Sequence, residues 1–212
     1  MVEGAHLTFK DGDEVVSLAR DVEKQAATVS DDDIHARSLV MLGSALDQFG
    51  NRQEALHYLE RAKLMGIASD TLSSNVYYLI ALIHYSENRL PEALDAAKEA
   101  WKLSEPRNDV VNRARISFAL GMILFSANRD TEAWKYMEIS LAKNLELGNR
   151  RDSAITSEYM GYGYLRRGDY LNAYGVYEAA AESYLGTDLE EPDCTTCKDN
   201  MVKIKDMQRT LT

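Results

Sequence analysis

Cys194-Thr-Thr-Cys197 is the pair with the most chemical promise in the chain, since two thiols at this spacing can bind a metal or exchange a disulfide. Zinc wants four ligands, and neither a second cysteine pair nor a histidine stands nearby. A thioredoxin-like motif follows a strand, and nothing here reads as one. Both cysteines instead continue an apolar stripe, which makes them core residues. Gly161-Tyr162-Gly163 hints at a phosphate loop, but Arg166 stands where a third glycine is needed, so close helix packing accounts better for the glycines. Ser30-Asp31-Asp32-Asp33 lacks the central glycine and closing glutamate of a calcium loop and reads as an acidic helix start. His6, His35, His57 and His84 are scattered one per segment. No Ser-His-Asp set or carboxylate pair is evident, so the expectation is a non-enzyme with no metal and no cofactor.

Small residues carry a stronger signal. Gly43, Ala81, Gly121 and Gly161 lie twelve positions before Ala55, Ala93, Ala133 and Ala173. Seven positions further come Ala62, Ala100, Ser140 and Ala180. The period is 38 and then 40 twice, the mark of stacked helical hairpins. A second column, Gly50, Asn88, Asn128 and Gly168, supplies residues that tolerate the left-handed conformation at a helix end. Asn51 and Asp169 follow as expected N-caps, with Glu54 completing a capping box on Asn51.

These columns resemble the tetratricopeptide repeat (TPR) family over about residues 30 to 187. The four copies read Leu42-Gly43-Leu46 with Ala55-Leu59-Ala62, Ile80-Ala81-His84 with Ala93-Ala97-Ala100, Leu120-Gly121-Leu124 with Ala133-Met137-Ser140, and Met160-Gly161-Tyr164 with Ala173-Tyr177-Ala180. Their period exceeds the family's common length of 34, and the surplus falls between hairpins. The resemblance implies an all-α, right-handed α-solenoid forming one domain over 1–212. Its expected parts are an N-terminal half-repeat helix at 13–29, repeats at 36–69, 74–107, 114–147 and 154–187, and a capping helix at 193–211. Val15, Leu18, Ala19, Val22 and Ala26 are the expected stripe of the first helix, and Cys194, Cys197, Met201, Ile204, Met207 and Leu211 that of the last.

Composition narrows the partners. The formal charge of −10 disfavours nucleic acid and anionic membrane surfaces. The longest apolar run, Val76 to Ile83, is too short to span a bilayer. With no leader-like start and few cysteines, a cytoplasmic protein is expected.

The first helices of repeats two to four are apolar on two adjoining faces. One stripe faces its own hairpin. The next, about 100° round, carries Tyr78, Leu82 and Tyr85, then Phe118, Met122 and Phe125, then Glu158 and Tyr162 with Tyr159 beside them. In the TPR family such columns line a concave face that binds peptides. The resemblance therefore implies a groove for an apolar peptide or amphipathic helix, to which Val40 and Ser44 of the first repeat also contribute, with Arg37, Asp47, Arg115, Glu158 and Arg166 at its rim. Chaperone-tail binders of the family carry Lys and Asn where this chain has Val40, Ser44, Tyr78 and Leu82, so acidic chaperone tails are not expected ligands. The competing expectation is a homodimer, or a groove filled by the chain's own termini.

Overall fold

A computed structural model describes residues 9–65, 67, 69–105, 109–184 and 192–210, without the side chains at 9–11, 192–196 and 207–210. The described residues form helices α1 (Phe9–Ala26), α2 (Asp32–Gln48), α3 (Arg52–Leu64), α4 (Asp70–Ser86), α5 (Leu90–Ser104), α6 (Val110–Ser126), α7 (Asp130–Glu146), α8 (Arg150–Arg166), α9 (Tyr170–Tyr184) and α10 (Pro192–Thr210). They group into two compact units, α1–α5 and α6–α10. In the first unit the hairpins are α2–α3 and α4–α5, with α1 against α2; in the second they are α6–α7 and α8–α9, with α10 against α9.

Each hairpin closes on a turn of one design. Gly50, Asn88, Asn128 and Gly168 all have positive φ, between 58° and 85°. The following amide donates back to the carbonyls of Leu46, His84, Leu124 and Tyr164 respectively, which satisfies the end of each first helix. Asp169 caps α9 by accepting from the Asn172 amide, and Asp31 caps α2. The expected capping box at Asn51 does not form. Asn51 makes no side-chain cap bond, and Glu54 instead receives both bonds of the Arg20 guanidinium, at 2.6 and 2.8 Å. The Asn51 amide that such a box would use already donates to the Leu46 carbonyl in the turn, which leaves Glu54 to the arginine.

Inside the hairpins, small does not meet small as a rule. A Cβ added at Gly43 would fall 2.8 Å from Leu59 Cγ, one at Gly121 2.8 Å from Met137 Cγ, and one at Gly161 2.8 Å from Tyr177 Cζ. Where the first helix carries Ala81, the corresponding second-helix residue is Ala97, and both are buried. The missing volume on one helix is thus filled by the side chain of the other. A serine stitches two of the hairpins from opposite sides: Ser74 Oγ on α4 donates to the Ala100 carbonyl, and Ser140 Oγ on α7 donates to that of Ala114.

The first helix departs from expectation. It runs from Phe9, and Gly12 lies within it, against the Phe49 ring. Its buried row is Gly12, Val16, Ala19 and Ala26; Val15, Leu18 and Val22 face outward. In the last helix Cys197 and Ile204 join the core of Tyr177 and Tyr184, while the side chains of Cys194, Met207 and Leu211 lie outside the described residues. Burial pushes the Tyr177 phenol well above its usual range, with Glu158 adding to the effect.

Candidate functional site

Within each unit the first helices lie side by side, α2 against α4 and α6 against α8. That contact decides which of the sequence-predicted residues remain at a surface. Val40 of α2 is buried, as are Met122 and Phe125 of α6, at 8% and 3% exposure. Phe125 shows why. A Cβ at Gly163 of α8 would lie 2.8 Å from Phe125 Cζ, so the glycine leaves room for the ring, and Trp134 meets it edge-on at 5.7 Å. In the second unit two residues of the stripe that was expected to line a groove, Met122 and Phe125, are core residues.

Arg166 is likewise committed. It donates to the Phe125 carbonyl at 2.7 Å and to Asn128 Oδ1, and its guanidinium stands 3.7 Å from Asp130. The arginine closes the C-terminal end of α6, where a cation complements the exposed carbonyls. Glu158 is half-buried and accepts from the Tyr184 hydroxyl at 3.3 Å. Arg37 is exposed and pairs with Asp33 at 2.7 Å, one turn back along α2.

The remaining predicted residues sort by unit. In the first, Ser44 is exposed and Tyr78, Leu82 and Tyr85 are half-buried. Asp47 is half-buried 3.7 Å from Arg52; burial raises its carboxyl above the usual range, and Glu87 adds to the rise against the opposing arginine. In the second unit, Arg115 is exposed, Phe118 and Tyr159 are half-buried with their rings edge-on at 5.1 Å, and Tyr162 is 55% exposed.

Residues that the rotated stripe missed complete these surfaces. Ile34 and Met41 of α2 are 47% and 45% exposed, and Leu79 of α4, in the column of Met41, is half-buried. They occupy the row opposite each helix's own hairpin partner. The signal was available in the spacing: Met41 lies two residues before Gly43, about 160° round the helix from it. Two clefts of the first unit lie elsewhere, one of about 460 Å³ bordered by Arg52, Gln53 and Glu87, and one of about 220 Å³ bordered by Lys63, Tyr77 and Leu103.

Among the described residues no cluster of three or more His, Cys, Asp or Glu side chains is placed to hold a metal, and no helix is long and apolar enough to cross a membrane. No protein-family model matches the chain, and no curated protein matches it. Solved structures do. BtubC (BKLC) from P. vanneervenii superposes with a TM-score of 0.66 at 15% identity, over 95% of this chain and 91% of that one. A MamA protein superposes with a TM-score of 0.57 at 19% identity, over 81% and 93% of the two chains, and MamA AMB-1 at 0.58 and 19%, over 82% and 98%. The fold is a TPR-like helical repeat. At these identities the likeness carries the architecture and nothing of the chemistry.

Proposed function

We propose that the chain is a protein-interaction module whose first helices dock an apolar peptide or an amphipathic helix. The observation that carries this reading is the outward row of α2 and α4. It holds Met41 and half-buried Leu79 at a surface of the first unit, and the adjoining stripe of α4, with half-buried Leu82, Tyr78 and Tyr85, continues it. Apolar side chains clustered on such a row suit a partner helix better than they suit water. In the second unit Phe118, Tyr159 and Tyr162 offer a smaller aromatic counterpart, with Arg115 beside them.

Affinity capture with the intact chain and with Leu82→Asp tests this. The expected outcome is a protein captured by the intact chain and lost with Leu82→Asp, at unchanged helical circular dichroism. Capture that persists with the variant overturns the reading. Sedimentation at two concentrations separates self-association from binding of a different partner.

A further inference from the structure

The first helix carries a surface that none of the hairpins uses. Val15, Leu18 and Val22 recur at three and four residues along α1, and Leu18 is 67% exposed. They stand about 90° round from the centre of the buried row of Gly12, Val16, Ala19 and Ala26. The opposite flank of α1 is tied to α3, where Arg20 bonds Glu54 and the Glu23 carboxylate receives Arg61 at 3.4 Å and meets His35 of α2 at 3.2 Å. The apolar row is therefore turned away from α3.

The neighbouring helix does the same. On α2, Gly43 faces α3 through Leu59, and Ile34 and Met41 lie about 160° to 180° round from it. The helices α1 and α2 run antiparallel, since Gly12 meets Phe49 at one end and Glu23 meets His35 towards the other. Val22 is then set towards Ile34, and Val15 and Leu18 towards Met41. The result is a shallow apolar trough along one side of the pair.

Charge selects its occupant. The flank of the row turned away from α2 carries Glu14 and Asp21, both exposed. Asp21 has Lys24 at 3.6 Å, and Glu14 pairs with no cation among the described residues. Arg37, the cation on the α2 side, is neutralised by Asp33. Residues 1–106 hold eighteen Asp and Glu against ten Lys and Arg, so the wider field has the same sign. A second copy laid antiparallel across α1 would bring the acidic flanks together, and like charges there oppose pairing. We infer that the α1–α2 trough docks a basic amphipathic helix from another protein, with its apolar side on Leu18 and its Lys or Arg residues beside Glu14 and Asp21. The trough adjoins the α2–α4 row at Met41, but the docking turns on Leu18, Glu14 and Asp21 of α1, and the test below leaves both Met41 and Leu82 untouched.

Two synthetic amphipathic helices serve as probes, one of leucine and lysine and one of leucine and glutamate, with binding read by fluorescence anisotropy. The basic probe is expected to bind and the acidic one to fail. Leu18→Ser is expected to weaken the basic probe about tenfold, and Glu14→Gln with Asp21→Asn to weaken it severalfold and flatten its salt dependence. Leu18 is exposed, so the variant keeps its fold, and unchanged helical circular dichroism checks this. Equal binding of the two probes overturns the inference. So does basic-probe binding that Leu18→Ser leaves intact, which marks a diffuse attraction to an acidic surface. A concentration-dependent dimer of the chain abolished by Leu18→Ser assigns the trough to a second copy and also overturns it.

Discussion

The two units place different side chains at the same repeat positions. In the second unit, Phe125 reaches across from α6 into the space over Gly163. In the first, the residue at the Phe125 position of α2 is Asp47, and the residue at the Gly163 position of α4 is Ile83, fully buried. A ring and a glycine fill these two positions in one unit; a half-buried carboxyl and a buried branched side chain occupy them in the other. The second unit adds Trp134, Tyr164 and Tyr177 around the same hairpins, with the Tyr164 ring 4.4 Å from the indole and the Arg167 guanidinium 5.4 Å over it. The first unit relies on Leu and Ala in its hairpins, and holds α1 by the buried row of Gly12, Val16, Ala19 and Ala26 with ion pairs along one flank. Residues 107–212 are close to charge balance, with fourteen Lys and Arg against sixteen Asp and Glu, whereas residues 1–106 are strongly acidic. Aromatic filling thus goes with closed first helices, and acid with open ones.

The largest effect should fall on the ring that closes the second unit. Phe125→Ala leaves a cavity over Gly163 and is expected to cost about 3–5 kcal/mol in urea unfolding. Tyr85→Ala, at the corresponding position of α4 but half-buried, is expected to cost less than half as much. Equal losses would erase the distinction between an open and a closed face.

Next comes the exchange of volume inside a hairpin. Gly121→Ala forces its new methyl against Met137 and is expected to cost about 1–3 kcal/mol. Adding Met137→Ala recreates the Ala81–Ala97 pairing, so the double variant should be more stable than the two single losses added together. A double-mutant cycle measures that coupling, and simple additivity would show that the two positions do not share one space.

The smallest effect is a pH dependence confined to the first unit. Burial, with Arg89 close by, holds His84 below the usual histidine range, and its buried Nδ1 has no hydrogen-bond partner. The folded state therefore resists taking up a proton that the unfolded chain accepts. The contribution of His84 is complete above about pH 6.5 and is lost as the pH falls through the lower, folded value. His84→Leu, which restores the residue of the Leu46 and Leu124 column, is expected to remove that loss, worth at most about 1 kcal/mol for a group this exposed. Thermal unfolding at pH 7 and pH 5 reads it, and an unchanged acid sensitivity in the variant would assign the effect elsewhere.

Much of this was legible from spacing alone. The positive-φ turns, the glycines packed against second helices, and the Gly161-Tyr162-Gly163 reading as close packing all follow from columns that recur at a fixed interval. What the spacing could not reveal was the partner of each side chain. Glu54 stood at the right distance to complete a capping box, but Arg20, 34 residues earlier, binds it instead. Phe125 lay on a stripe next to a core stripe, and only the lateral contact of α6 with α8 turns it inward. On α1, Ala19 and Ala26 belonged to the buried row, but Val15, Leu18 and Val22 were grouped with them because hydrophobicity does not say which side of a helix has a neighbour.

The paired filling of each hairpin has a consequence for how such a chain can change. Where Leu59 answers Gly43, Met137 answers Gly121 and Tyr177 answers Gly161, bulk is settled privately between two helices joined by one turn. Residue types can drift in step, one partner growing as the other shrinks, while the beat between them stays put. A comparison that scores each column on its own sees only noise in such drift; one that weighs the two partners jointly would still see the repeat.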